Sequence, residues 1–355
     1  MSTTHHAPET ASSDAALVAP SNRPTWLRVV NDLVRSREMS ILLVLALVVA
    51  AATVKTPSFL VSANGWRDLL LTPSILLVLA VGQAVVIITR NVDLSVGSVL
   101  ALTAYLTGRL FLDLPGIPIV AVFAIGILAG GVLGLVNGLL VSVANVPSLV
   151  ITLGTLYVFR GVVLTWAGSD RINASDMPRD FLSLGTESIL TIPVLTIIGL
   201  AVLAVVGYFL HSHRAGRELY AIGSDPDAAV LYGLAVRRRV LGAFVLSGGL
   251  AGLAGVMHAG RYGTVSSGAG TGIELEAVAA VVIGGVAIFG GSGTVWGAAI
   301  GAFLLVTIDR ALPILGIPDF WQRAVVGTLI ITAIVLDRVL AARRARKLIE
   351  ARDDS

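Results

Sequence analysis

Beyond residue 40 the chain consists of long runs of Val, Leu, Ile and Ala separated by short polar breaks. A helix needs about 20 apolar residues to cross a bilayer, and in lipid only helices and closed barrels satisfy their own backbone hydrogen bonds. The runs fall at 40–55, 70–89, 97–112, 118–143, 148–167, 188–210, 240–258, 274–290, 294–309 and 322–340. The pattern predicts an all-α polytopic membrane protein with about ten transmembrane helices. The third and ninth runs are short enough to merge with neighbours or be re-entrant, so nine or eleven crossings remain open.

Composition agrees with that reading. The 355 residues are 55% hydrophobic and 13% charged, with a mean hydropathy of +0.89. A soluble domain carries about 25% charged residues. The formal net charge is only +3 although the pI is about 9.5, so the basic excess is informative through its distribution and gives no footprint for nucleic acid. The chain has no Cys, which excludes disulfides, thiolate chemistry and Cys-based metal sites. Lys55 and Lys347 are its only lysines and neither follows a Gly-rich loop, so it has no P-loop. If ATP drives this protein, another subunit binds it.

Residues 1–39 are polar and rich in Ser, Thr, Ala and Pro, with Arg23, Arg28, Arg35 and Arg37 close to the first run. They are too long and too polar for a signal peptide's charged head and read as a disordered cytoplasmic tail. Residues 40–340 form the transmembrane domain, and 341–355 a basic cytoplasmic tail. Lys and Arg are retained on the cytoplasmic side. With the N-terminus inside, the inner segments hold four (1–39), one (Arg90), five (211–239) and six (336–355), against eight on the outer side. Both termini are therefore expected in the cytoplasm. On this topology 211–239 is the long inner loop and 168–187 the long outer one.

Glycines recur at helix-packing spacing: Gly126, Gly130, Gly134 and Gly138 in the fourth run, Gly248 and Gly252 in the seventh, Gly293, Gly297 and Gly301 near the ninth. Small residues at this spacing let helix backbones approach closely in lipid, either for packing alone or for sliding between two states. At an offset of 196, Val85-Val86-Ile87 falls on Val281-Val282-Ile283 and Gly97-Ser98-Val99 on Gly293-Thr294-Val295. This suggests a parallel repeat.

The stretch ITRNVDLSVGSVLAL, 88–102, interrupts two apolar runs with polar groups. It reads as the inner turn between the second and third helices. Arg90 fits the positive-inside pattern, and Asp93 or Ser95 is suited to cap the third helix. Gly97 and Ser98 keep the helix start thin. The alternative is a gate at the inner exit, built from Asn91, Asp93, Ser95 and Gly97. Intramembrane polar groups face the bundle interior, which makes Gln83, Asn137, Ser148, Thr152 and Glu276 candidates for a translocation path. Gln83 and Asn137 serve equally well as inter-helix hydrogen-bond glue. Arg160 is expected to find a carbonyl or carboxylate, and Glu274 and Glu276 to lie near the outer mouth. Phe320 and Trp321 resemble an interfacial belt. An intramembrane serine protease would need a Ser with a His base. GGSG at 290–293 supplies the Ser, but the last His of the chain, His258, sits on the opposite side.

In the inner loop, DAAVLYG runs from Asp227 to Gly233. Pro226 and Asp227 suit a helix start, Ala228 and Ala229 leave a small surface, and Gly233 suits a helix end. The result is a short helix outside the bilayer, followed by Arg237, Arg238 and Arg239 at the membrane edge. Acidic-Ala-Ala-x-x-x-Gly in such a loop resembles the coupling motif of ABC importer permeases. Together with GRELYAIGSDPDAAVLYGLAV, AVAAVVIGGVAIFGGSGTVWGAAIGA and NVDLSVGSVLAL, it is similar to the monosaccharide branch of that family, which includes ribose, rhamnose and autoinducer-2 permeases. GIPDFWQRAVVGTLIITAIVLD resembles the rhamnose and autoinducer-2 members. The resemblance covers roughly residues 70 to 340. It departs from the family where Gly-Gly-Ile-Asp-Leu-Ser is usual and this chain has Arg90-Asn91-Val92-Asp93-Leu94-Ser95.

The resemblance implies a non-enzymatic pore subunit of the bacterial cytoplasmic membrane. A separate ATPase subunit would carry ATP-Mg, an external substrate-binding protein would deliver a monosaccharide, and a second permease copy or paralogue would complete the pore. Gly216, Arg217, Asp227, Ala228, Ala229 and Gly233 would form the ATPase-coupling surface, and the 88–102 turn would move with it. The chain itself would hold no cofactor and no metal. The competing reading is an ion-coupled secondary sugar transporter, in which carboxylates such as Glu276 relay protons.

Overall fold

The computed structural model describes residues 37–144, 146–318, 321, 324, 325, 327, 328, 331, 332 and 335. Residues 1–36, most of the 322–340 run, Phe320 and the 341–355 tail lie outside the described residues. The first helix, α1 (Arg37–Lys55), leads through a one-turn 3-10 segment to α2 (Ala63–Leu71) and α3 (Ser74–Ile88). Then come α4 (Val96–Asp113), α5 (Ile119–Ala144) and α6 (Ser148–Ala167). A short α7 (Arg179–Ser183) and a hairpin of β1 (Ser188–Ile189) with β2 (Ile192–Pro193) precede α8 (Val194–Ser212). Two helices, α9 (Arg214–Ser224) and α10 (Pro226–Leu231), then lead into α11 (Val236–Tyr262), α12 (Ile273–Ile283) and α13 (Val295–Leu315).

Local chemistry sets the helix limits. Prolines precede α3, α6 and α8 at positions 73, 147 and 193, where a missing N–H costs nothing. The Ser62 and Thr294 hydroxyls accept from the Gly65 and Gly297 amides, each at 2.9 Å, and so cap α2 and α13. Among the described residues, seven helices are long and apolar enough to cross a membrane, counting α2 and α3 as one span. The sixth predicted run starts later than expected, because 188–193 forms the hairpin. The eighth, expected over 274–290, ends at Ile283, since Gly284 and Gly285 turn the chain there. With 11 residues α12 reaches only about 16 Å at 1.5 Å per residue, too short to cross alone.

Burial is unequal. Every residue of α3 is buried, whereas only 6% of the apolar window of α1 and 22% of those of α5 and α6 are covered. The core is therefore a central helix, α3, surrounded by α8, α11, α12 and α13. The outer faces of α1, α5 and α6 expose Leu and Val, as Leu43, Leu128 and Val158 do. Lipid is the natural solvent for such faces. The broadest helix pairing is α5 on α11. There the glycine stripe predicted in the fourth run meets the one in the seventh: a Cβ on Gly130 would overlap the Gly248 carbonyl oxygen, and one on Gly248 the Gly130 carbonyl oxygen.

In the two segments related by the offset of 196, the first helices end at Ile88 and Ile283. They pack differently: α12 lies against α13, whereas α4 lies chiefly against α11. The connection 284–294 is longer than 89–95.

Candidate functional site

The loop that joins α8 to α11 folds as two helices. On α9 the Glu218 carboxylate accepts from Arg214 Nε at 2.9 Å and from Arg239 Nε at 2.6 Å. This clasp ties α9 to the start of α11. The Arg239 hydrogen bond foremost, helped by Arg214, holds the Glu218 carboxyl below the usual carboxylate range despite desolvation. Gly216 lies against the Phe209 and Leu210 backbone. Arg217 donates to the Ser212 carbonyl at 2.9 Å and so covers the end of α8.

The short helix expected at Pro226 and Asp227 is present as α10. Its cap is Asp225, whose carboxylate accepts from the amides of Asp227 and Ala228 at 3.1 and 3.0 Å, and Pro226 occupies the first turn. Asp227 is exposed, Ala228 half-buried and Ala229 buried in the main core. Gly233 follows with a left-handed φ of 76°. The outward face belongs to Val230, Leu231 and Tyr232, which are 61%, 87% and 86% exposed. The sequence reading passed over these three residues. Their signal was available: three consecutive bulky apolar side chains between DPDAA and Gly233.

The end of α9 meets both hairpin turns. Arg90 has a φ of 63°, the left-handed conformation that glycine adopts without penalty, at a position where the resembled family has Gly. Its guanidinium donates to the Gly223 and Ser224 carbonyls, both at 2.5 Å. Gly223 sits so tightly on Ile88 that a Cβ would overlap the Ile88 carbonyl oxygen and crowd the Gly291 nitrogen. That Ile88 oxygen accepts from the Gly291 amide at 2.9 Å, and Tyr220 Oη donates to the Gly293 carbonyl at 3.0 Å. Turn 89–95, loop 284–294 and the residue before the α10 cap thus share one junction. Arg90 is a structural clamp as well as part of the charge pattern.

Behind this junction lies a buried polar knot. Asp93 Oδ1 accepts from the Ser95 amide at 3.0 Å and from Ser95 Oγ at 2.7 Å. Asn137 Nδ2 on α5 donates to Ser95 Oγ at 2.7 Å. The Gln83 amide on α3, oriented so that both its ends are satisfied, donates to the Asp93 carbonyl at 3.1 Å and accepts from the Asp93 amide at 3.2 Å. From α6, Ser148 Oγ accepts from the Val92 amide and Thr152 Oγ1 donates to the Val92 carbonyl, each at 3.1 Å. Asn91 Nδ2 donates to the Thr89 carbonyl at 2.8 Å. Asp93 caps the start of α4 by accepting from the residue before it. Ser95, at the N-cap position, makes no cap bond of its own because its hydroxyl is directed at Asp93.

Apart from Gly97 and Glu276, the candidates named for a path and those named for a turn therefore lie together, with Gln83, Asp93, Ser95, Asn137 and Thr152 all at most 1% exposed. Asp93 Oδ2 and Asn137 Oδ1 are buried there, and the Ser247 hydroxyl on α11 stands beside the Asp93 carboxylate. Gly97 lies further along α4, against Glu274 and the Gly270 carbonyl.

Glu276 lies elsewhere. It lines a cavity of about 310 Å³ at the far end of the bundle, with Thr72, His258, Tyr262, Asp309 and Arg310. Arg160 donates to the Ser267 and Ala269 carbonyls at 3.1 and 2.8 Å, the kind of partner expected of it. His258 stands at this far end, whereas Ser292 of the GGSG stretch lies in the loop at the junction, so no Ser–His pair joins them.

Comparison with known proteins decides the family. Residues 67–334 match the model described as branched-chain amino acid transport system / permease component. The chain belongs to this permease family. It is 34% identical to the D-allose transport system permease protein AlsC of Escherichia coli (strain K12) over 299 residues, 84% of this chain and 90% of that one. It is 36% identical to the autoinducer 2 import system permease protein LsrC of Klebsiella pneumoniae over 316 residues, 88% and 90% of the two chains. The corresponding Enterobacter sp. protein is 35% identical over 305 residues, 86% of this chain and 88% of its own. No solved structure gives a significant match. The chain is the membrane-spanning permease subunit of an ABC importer, a multi-pass protein of the bacterial inner membrane.

Proposed function

We propose that this permease imports a monosaccharide, such as a pentose or deoxyhexose, or a similar small sugar-like molecule. The proposed energy source is ATP hydrolysed on a separate subunit. The relatives named for D-allose and autoinducer 2 support the cargo class. The observation that carries the coupling is α10: a capped helix with Val230, Leu231 and Tyr232 facing outward, which continues through Gly223 into both hairpin turns. An ATPase subunit bound to that face would pull on turn 89–95 and loop 284–294 together. In this reading α10 and both termini are cytoplasmic and the bundle makes about ten crossings. The cavity beside Glu276 faces outward, where a binding protein releases the cargo. Two permeases enclose the path, and the chain itself holds no cofactor, with ATP-Mg bound by the ATPase subunit.

The test is reconstitution of the permease with its ATPase subunit and binding protein in vesicles. Uptake should persist under a protonophore while ATP is supplied and should stop when the ATPase subunit is omitted. Uptake by this chain alone, driven by an ion gradient, would establish the ion-coupled alternative instead.

A further inference from the structure

Beside the coupling loop, α3, α8, α9 and α11 enclose a crevice of about 400 Å³. Its walls include Val205, Phe209, Leu219 and Leu246, and Arg238 and Arg239 stand at one end. From Arg238 to Leu246 it follows α11 for about 12 Å, at 1.5 Å per residue. Its side is open, since Val205 is 68% exposed and Gly242 borders open space. Arg239 is engaged by Glu218, whereas Arg238 is exposed and makes no side-chain hydrogen bond or ion pair among the described residues. Both stand in the first turn of α11, whose N-cap residue Ala235 provides no side-chain cap. Cations are unfavourable at that end of a helix dipole, and an anion is favoured there.

We propose that this crevice holds an anionic phospholipid, one acyl chain between α8 and α11 and its phosphate on Arg238 at the start of α11. An apolar slot that ends in unneutralised Arg, at the level where a membrane helix emerges, matches a lipid in both parts. Basic pockets between transmembrane helices on the cytoplasmic side select anionic head groups. The lipid would brace α9 against α11 beside the Glu218 clasp, so it would support the coupling loop. The assignment to the inner leaflet rests on the orientation given under Proposed function. Occupancy itself is measured without transport, so the two readings fail separately.

The test is native mass spectrometry of the full-length chain, purified in mild detergent and offered equal amounts of dioleoyl phosphatidylglycerol and dioleoyl phosphatidylcholine. The wild type should retain the phosphatidylglycerol preferentially, and millimolar inorganic phosphate should not displace it. Arg238→Gln should lower that preference about five-fold, the equivalent of about 1 kcal/mol per basic residue at an anionic surface. Gly242→Leu adds a side chain where a Cβ meets nothing within 4 Å and improves helix propensity, so it should fill the slot in a folded protein and abolish retention. Equal retention of the two lipids by the wild type, or undiminished retention by Gly242→Leu, overturns the proposal. Displacement by phosphate alone would reduce the site to an anion site and also overturn it. If Gly242→Leu keeps the lipid but loses capture of the ATPase subunit, the crevice is a protein contact and the proposal fails.

Discussion

The turn after α3 and the loop after α12 meet at α9 and are held by different physics. Turn 89–95 is fixed by side chains: its own Asp93 and Ser95 bond each other, and Gln83, Asn137, Ser148 and Thr152 hydrogen-bond it from α3, α5 and α6. Loop 284–294 is held chiefly by close glycine packing, with Tyr220 Oη on the Gly293 carbonyl as a side-chain tether. Gly284 lies against the Gly297 backbone, and Gly290 and Gly291, both left-handed, lie against Arg90, Gly223 and Ser224. A side-chain network has discrete alternative partners, and the buried oxygens of Asp93, Asn137 and Ser247 lie together within it. A backbone-on-backbone contact has no such alternatives. In the proposed coupling, the first turn would serve as the movable gate and the second as the rigid transmitter.

The largest effect is expected where the rigid contact is broken. Gly223→Val places a branched side chain on the Ile88 and Gly291 backbones, which cannot yield as a side chain would. Overpacking costs about 1–3 kcal/mol and more where backbone must move. Monodisperse permease recovered from membranes should drop severely, and a normal yield with a normal thermal midpoint would refute the close packing. Next is Asp93→Ala, which removes the shared acceptor of the first turn. Orphaned buried donors cost about 1–3 kcal/mol, so the thermal midpoint should fall by several degrees. Ser292→Ala, in the second turn, should leave it nearly unchanged. Equal effects would erase the distinction between the turns.

A smaller effect on stability, with a larger one on coupling, is expected of Arg90→Gly. The substitution relieves a left-handed non-glycine residue, worth about 1–2 kcal/mol. It also deletes two hydrogen bonds, but Arg90 is exposed, so each is worth well below the about 1.5–3 kcal/mol of a charged bond shielded from water. The protein should stay folded and bind its ATPase, while uptake per ATP falls. Unchanged stoichiometry would remove Arg90 from the coupling path. The smallest effect concerns the clasp. Because Glu218 titrates below its ordinary value of 4.5, its contribution is complete at neutral pH and is lost as pH falls from that value downward. A thermal-midpoint profile of Glu218→Gln should converge on the wild type only in that acid range. Curves that stay parallel throughout would contradict the clasp.

Much of this was legible in the sequence, and the parts that were not share a cause. Apolar runs predicted the helices because lipid demands them, and Gly126 to Gly138 marked a packing seam because spacing of four residues puts them on one face. Composition could not reveal that α12 stops at Ile283, since 274–290 stays apolar while Gly284 and Gly285 turn the chain. The polar residues of 88–102 were recognised as unusual. That Gln83, Asn137 and Thr152 would converge on the same turn depends on how α3, α5 and α6 cross, and no local pattern encodes that. Arg90 read as a topology signal because its carbonyl partners, Gly223 and Ser224, lie more than 130 positions away.

The central claim is that α10 is the handle by which ATP hydrolysis moves the two turns. Gly233 and Ala229 are poor probes, because any side chain at the first would be strained by its positive φ and the second is buried. Leu231, 87% exposed, is a clean one, because a surface substitution there leaves the fold intact while an apolar interface anchor is lost. The decisive measurement is ATP-driven uptake in vesicles by the Leu231→Asp permease, alongside co-purification of the ATPase subunit. Folded, monodisperse permease that no longer retains the ATPase and takes up no cargo is the predicted result. Wild-type uptake with the ATPase still bound would contradict it.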